Sequence, residues 1–424
     1  MTNLYFPLHS LREGHWFKLI CGASFQHLPA VRNLTLAYTL AGADCIDVAA
    51  DPAAIAAAQA ALQVAGELAS EAKPRGYGFK GLPWLMVSLN DGEDPHFRKA
   101  EFNPTQCPPD CTRPCEKICP ADAIRLTPRY SNAFHLPDNN FGVIDSRCYG
   151  CGRCIPVCPY DLIYTRSYVS TPDAIARQVL PTGIDAVEIH TSVGRKADFE
   201  RLWGAIAPNL HHLKLIAVSC PDSEGLIEYL RSLYEIMEPL PIPLVWQTDG
   251  RPMSGDIGAG TTHAAIKLGQ KVLSAGLPGY VQLAGGTNSH TVIKLKAVGL
   301  LNPSLGNRSL VIGHRQEETN AREGGDTATD ANAPSDSAMP VQSPKPNAHI
   351  AGVAYGSYAR VLLSPVLDLL ENTPMNEDCP TPPDNQSAIA RLEDNKELLW
   401  QAVAYAHSLV SQLKLPEFSS NLRL

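Results

Sequence analysis

Two runs of four cysteines, each closed by a proline, are the residues of this chain best suited to chemistry: Cys107, Cys111, Cys115 and Cys119 before Pro120, and Cys148, Cys151, Cys154 and Cys158 before Pro159. The second run has the C-x2-C-x2-C-x3-C-P spacing of bacterial two-cluster ferredoxins, in which the fourth cysteine of each run ligates the other cluster. Three thiolates on one tight loop reach three irons of a cube, and the fourth iron takes a ligand from elsewhere in the chain. The predicted ligand sets are therefore Cys107, Cys111, Cys115 and Cys158 for one cluster, and Cys148, Cys151, Cys154 and Cys119 for the other. Two 4Fe-4S clusters are expected. The first run carries three residues in every interval, which leaves its cluster open between 4Fe-4S and 3Fe-4S. Zinc held by C-x2-3-C pairs is the competing metal. A disulfide framework would call for export, and residues 1–17 have no basic stretch followed by an apolar core.

The elements that must position these loops alternate short apolar runs with amphipathic stretches, the βα rhythm of a parallel sheet. Strands are expected at Lys18–Ala23, Cys45–Ala49, Trp84–Leu89, Ala186–His190, Leu213–Ser219, Pro243–Gln247, Tyr280–Leu283 and Ile350–Ala354. Helices are expected at Leu28–Leu40, Ala53–Ala69, Thr171–Val179, Ala197–Ile206, Ser223–Met237, Thr262–Ser274, His290–Val298 and Ala388–Lys414, the last packing on the outside. The fold class is thus α/β: a (β/α)8 TIM-like barrel with an inserted two-cluster bacterial-type ferredoxin module. The expected organisation is barrel strands one to three in 1–94, the ferredoxin-like insertion in 95–168, strands four to seven in 169–314, a disordered low-complexity insertion in 315–348, the last strand and helix in 349–385, and a C-terminal helix in 386–424. An insertion after strand three leads into the face of a barrel that carries function, which would set the clusters at its mouth.

Loops after strands seven and eight often hold phosphate, because glycine lets backbone N–H groups close on the oxygens. Gly285, Gly286 and Thr287, with Gly356 and Ser357, are the candidate ligand loops here. A flavin or a quinone is the ligand class considered, and tight βα turns are the plain alternative. His190, Thr191, Ser219, Cys220, Thr248, Asp249 and Arg251 also fall at predicted strand ends. Lys18 and Lys214 fall at predicted strand starts, which counts against lysine chemistry in the mouth. Cys21 and Cys45 read as small core residues, and Cys220 is the one candidate reactive thiol outside the runs. No catalytic residue is assigned.

A net charge of -8 disfavours nucleic-acid binding. No run of apolar residues is long enough for a transmembrane segment, and a soluble cytoplasmic protein is expected. The stretches CTRPCEKICPADAI, CYGCGRCIPVCPYDLI, WQTDGRPMSGDIGAGTTHAAIKL, GYVQLAGGTNSHTVIKL and GVAYGSYAR resemble the light-dependent period proteins of cyanobacteria, iron–sulfur proteins on the input side of the circadian clock. The resemblance implies a redox-sensing regulatory protein that conveys cellular redox and light state to clock input and oscillator partners. An iron–sulfur oxidoreductase with a ligand in the barrel mouth is the alternative, and a plain electron carrier the simplest case.

Overall fold

The computed structural model describes residues 6–22, 27–92, 98–119, 122–126, 142–144, 147–148, 153–167, 175, 179–251, 258–302, 349–372 and 390–414. The strands are β1 (Trp16–Gly22), β2 (Cys45–Ala49), β3 (Trp84–Asn90), β4 (Arg98–Glu101), β5 (Ile124–Arg125), β6 (Gly142–Val143), β7 (Tyr164–Ser167), β8 (Ala186–His190), β9 (Leu215–Pro221), β10 (Leu244–Asp249), β11 (Tyr280–Ala284) and β12 (Gly352–Tyr355). Eight of them close a barrel in the order β1-β12-β11-β10-β9-β8-β3-β2. Every pairing in it is parallel, and β1 completes the ring against β12 from Trp16↔Gly352 to Leu19↔Tyr355.

The helices are α1 (Phe6–Glu13), α2 (Leu28–Ala41), α3 (Pro52–Glu67), α4 (Ala69–Ala72), α5 (Pro114–Ile118), α6 (Lys196–Ile206), α7 (Leu226–Met237), α8 (Thr262–Ser274), α9 (Thr291–Ala297), α10 (Ser357–Asn372) and α11 (Lys396–Lys414). Local sequence explains their ends. Asp51 caps α3 by accepting from the N–H groups of Ala53 and Ala54, and Pro52 at the first helical position has no N–H to leave unsatisfied. The buried face of α3 runs Ala54, Ile55, Ala58, Ala61, Leu62, Ala65 at helical spacing. Its alanines let it lie close on α2. As expected, α11 packs outside the barrel, on α2 and α10, and Lys414 Nζ donates to both carboxylate oxygens of the buried Asp44 (2.6 and 2.5 Å). Among the described residues no helix is long and apolar enough to cross a membrane.

Two layers fill the barrel. The lower one is apolar, with Trp16, Cys45, Trp84, Met86, Ala186, Leu215, Ala217, Val245 and Tyr280 inside and Leu11 of α1 plugging the bottom. Trp16 and Trp84 meet edge-on at 5.8 Å between ring centroids. One step further along the strands the interior becomes polar: Lys18, Asp47, Ser88, Glu188, Ser219, Gln247 and Gln282 are all buried. Side chains alternate sides along a strand. Trp16 and Lys18 therefore share the inner face, while Phe17 and Leu19 join the outer core under the helices.

Between β3 and β8 the chain leaves the barrel. β4 and β7 pair antiparallel from Arg98↔Ser167 to Glu101↔Tyr164, so this excursion begins and ends in one ladder, and β5 pairs with β6 inside it. Cys151, Cys379, the 315–348 stretch and most of the expected Thr171–Val179 helix lie outside the described residues.

Candidate functional site

Cysteine loops. Each run ends in the same turn. Asp122, after Cys119-Pro120-Ala121, has φ +47°, and Asp161, after Cys158-Pro159-Tyr160, has φ +50°. In both cases the aspartate N–H donates to the carbonyl of the run's last cysteine (3.2 and 3.3 Å). Aspartate tolerates the left-handed region better than most residues. Such a turn swings the backbone away from the sulfur and frees nearby N–H groups to point back at it. The N–H of Ala123 donates to Cys119 Sγ (3.2 Å), and that of Arg113, itself left-handed at φ +54°, donates to Cys111 Sγ (3.4 Å).

Sequence neighbours are not the only thiols brought together. Burial raises the Cys107 thiol, and Cys111 and Cys158 raise it further. Cys115 is pushed up to about 11, first by burial and then in part by Cys158. Cys158, which belongs to the second run, therefore lies within electrostatic reach of Cys107 and Cys115 of the first. Cys115, Cys148 and Cys154 are buried in an apolar cluster with Ala100, Phe102, Ile124, Leu126 and Ile163, and Cys107, Cys119 and Cys158 pack against it. Sulfur donors in a dry pocket with backbone N–H groups aimed at two of them suit an iron–sulfur cluster, whose bridging and ligating sulfurs accept such bonds.

The seam with the barrel is a buried ion pair. Lys99 of β4 donates to Asp51 Oδ2 (2.5 Å), and both side chains are almost wholly buried. Asp51 holds the first turn of α3 with its other oxygen. The cysteine loops are thus anchored to the loop after β2, at the carboxyl end of the barrel. Lys99→Met is expected to lower stability by about 3 kcal/mol or more, since it strands a buried carboxylate. Urea denaturation of Lys99→Met, Asp51→Asn and the double variant checks this, the double variant being expected to lose less than the sum of the two.

Barrel interior. Lys18 Nζ lies 2.9 Å from Asp47 Oδ2, donates to Gln247 Oε1 (3.0 Å) and is paired with Glu188. Gln247 Nε2 donates to Glu188 Oε1 (2.5 Å) and Ser219 Oγ (3.2 Å), and Gln282 Nε2 donates to Gln247 Oε1 (2.6 Å). Ser88 donates to Asp47 Oδ1 (2.7 Å) and Trp16 Nε1 to Gln282 Oε1 (2.5 Å). Burial alone would pull the Lys18 ammonium down, but Asp47 and Glu188 outweigh it and the net shift is upward. Glu188 is held low by Lys18 and His190 against its own burial, whereas for Asp47 burial wins and the shift is upward. Toward the mouth, His190 Nε2 stands 3.1 Å from Glu188 Oε1. Asp249 is pushed up to about 6, mainly by burial.

Comparison with known proteins follows this division of the chain. Residues 107–169 match the LdpA Fe-S cluster-binding domain, and residues 178–412 match the Light dependent period A C-terminal domain. Light dependent period A of Synechococcus elongatus is 50% identical over 300 residues, which cover 71% of this chain and 79% of that one. The chain belongs to the light dependent period A family. The family's cluster-binding domain begins at Cys107 and spans both cysteine runs, and its C-terminal domain takes in β8 to β12. Residues 1–106, with Lys18, Asp47, Asp51 and Lys99, fall outside both matches.

In this member of the family the glycine loops lie at the barrel mouth. Gly285 and Gly286 have φ +61° and +85°, and a β-carbon on Gly285 would stand 1.8 Å from Asp249 Oδ1. Thr287 donates to the Ala354 carbonyl (2.6 Å), joining the loop after β11 to β12 itself. The Gly356 carbonyl accepts from the Arg360 N–H, and Ser357 Oγ accepts from Arg360 Nη2 (3.0 Å). Cys21 and Cys45 are core residues, as expected. Cys220 does not have the setting of a reactive thiol: it is buried, and burial pushes it up to about 12. The placement of Lys18 at a strand start is corrected. β1 begins at Trp16, and Lys18 is an interior residue of the barrel. The signal for the whole polar layer was present, because WFKLICG, CIDVA, AVEIH, LVWQTD and YVQLA each carry a polar residue two places after an apolar inner one.

Proposed function

We propose that this protein holds two iron–sulfur clusters, one on Cys107, Cys111, Cys115 and Cys158 and one on Cys148, Cys151, Cys154 and Cys119. They make it a redox sensor that conveys cellular redox and light state to the circadian clock. The observation that carries this is the gathering of Cys115, Cys148 and Cys154, with Cys107, Cys119 and Cys158 packed against them, in one apolar cluster, inside a stretch that matches a cluster-binding domain. When bound, such clusters supply one-electron steps at modest reorganisation. The chain's own residues do the rest. The apolar cluster around Cys115, Cys148 and Cys154 keeps water from the sulfurs. The N–H groups of Arg113 and Ala123 stabilise negative charge on them. Lys99 ties β4 to Asp51 and so to α3, which gives a change of charge in the cysteine loops a direct route to the barrel.

Partners in this reading are clock input and oscillator proteins, in the cytoplasm. A second reading, an oxidoreductase with a flavin or quinone in the barrel mouth, draws on the glycines at 285 and 286. Hydrogen exchange of the anaerobic protein, oxidised against dithionite-reduced, tests the sensor. Exchange should differ in β4, β7 and the first turn of α3. Identical exchange in the two states would overturn the sensing role, and a flavin released on denaturation would favour the oxidoreductase.

A further inference from the structure

Inside the barrel Lys18, Gln247, Gln282, Trp16 and Ser88 of the two layers each donate to a buried acceptor. Lys18 has Asp47, Glu188 and Gln247; Gln247 Nε2 has Glu188 and Ser219; Gln282, Trp16 and Ser88 are engaged as well. Acceptors are left over on the mouth side. The Asp249 carboxylate, at the end of β10, takes no hydrogen bond or ion pair from the described residues. His190 offers another acceptor: Glu188 Oε1 beside Nε2 keeps the proton on that nitrogen, so Nδ1 presents its lone pair. The ring is 28% exposed, so solvent reaches this recess.

The backbone makes room for the carboxylate. Gly285, left-handed and without a β-carbon, lies where any other side chain would strike Asp249 Oδ1, and such a β-carbon would also stand 2.8 Å from the Arg251 nitrogen. An unengaged carboxylate and an imidazole lone pair, above a layer in which Lys18 and Gln247 already donate to Glu188, complement a group that brings N–H donors and positive charge. We propose that the barrel mouth binds a small organic cation, an ammonium or amidinium group whose N–H atoms bridge Asp249 and His190. This site asks nothing of the cysteine loops.

The groups that bear on Asp249 are His190, Glu188, Lys18 and Cys220. Burial and Glu188 raise its pKa while His190 and Lys18 oppose them, and the result is about 6. A cation binds the carboxylate form. Its affinity is therefore full above that value and falls as pH drops through it, by about tenfold from pH 7 to pH 5.

Calorimetric titration of the full-length protein, purified anaerobically with its metal in place, tests the proposal. The probes are n-butylammonium and acetamidinium, with butyramide and butyrate as controls. A cation should bind saturably, about tenfold more tightly at pH 7 than at pH 5. Asp249→Asn should weaken binding about tenfold or more and abolish the pH step while leaving iron content unchanged. His190→Gln, on the exposed side, should weaken binding and keep the step. Preferential binding of butyrate or butyramide, cation binding that neither variant alters, or no saturable binding up to about 10 mM of either cation would each overturn it.

Discussion

Cys158→Ala is expected to remove the first cluster and spare the second, although Cys158 stands in the second run of the sequence. Cys107 and Cys115 both feel its charge, and the turn after it frees the chain in the same manner as the turn after Cys119. Iron should fall from about eight to about four per chain, with the remaining resonance that of an isolated, magnetically uncoupled cluster. Cys154→Ala should remove the other cluster, and Cys119→Ala should resemble Cys154→Ala rather than Cys115→Ala. Anaerobic electron paramagnetic resonance with iron and sulfide counting separates these outcomes. If each run served its own cluster, Cys158→Ala and Cys154→Ala would give the same spectrum.

Lys18→Met should be the most damaging substitution in the barrel. Its ammonium is shared between Asp47 and Glu188 in an interior closed to solvent, and breaking a buried pair of this kind costs about 3–5 kcal/mol. The pH dependence carries a sign. In the native chain Lys18 is raised, so its contribution is complete below the unfolded value of about 10.4 and is lost as pH rises through the folded one. Glu188 is lowered, so its contribution is present above about 4.3 and is lost as pH falls through its folded value. Asp47 is raised, and ionising it opposes folding as pH climbs past about 3.9. Without Lys18 both carboxylates resist ionisation, and Lys18→Met should grow less stable from pH 4 to pH 7, a direction opposite to that of Glu188 in the native chain. Adding Glu188→Gln should restore part of the loss. Denaturant titrations at several pH values check both points, and a pH-independent loss would contradict this account of the interior.

Much of the barrel was legible because strand and helix periods are local. Cys45–Ala49, Ala186–His190 and Thr262–Ser274 coincide with the expected spans to the residue. Elsewhere the ends moved for physical reasons. The helix expected from Ser223 starts at Leu226, because Gly225 takes a left-handed conformation at φ +73° just before it. β1 starts two residues before its expected start, and that shift turns Lys18 from a strand-start residue into the hub of the interior. Which polar groups would meet was not legible. Lys18 and Glu188 are 170 positions apart, and only closure of the ring brings them together. The ion pair between Lys99 and Asp51 is of the same kind. Hydrophobic periodicity places each residue on a face but says nothing about the face it will meet.

The cysteine runs were readable as a ligand pattern because spacing on one loop is a local property. The proposed crossing of Cys158 to the first run is a long-range feature that only the ferredoxin pattern implies.

The central claim is that these eight cysteines hold two iron–sulfur clusters. Elemental analysis with Mössbauer spectroscopy of the full chain, isolated without oxygen, tests it most directly. About eight iron and eight acid-labile sulfide per chain are predicted, or about seven iron if the first cluster is 3Fe-4S. Zinc in place of iron, or iron without acid-labile sulfide, would contradict it.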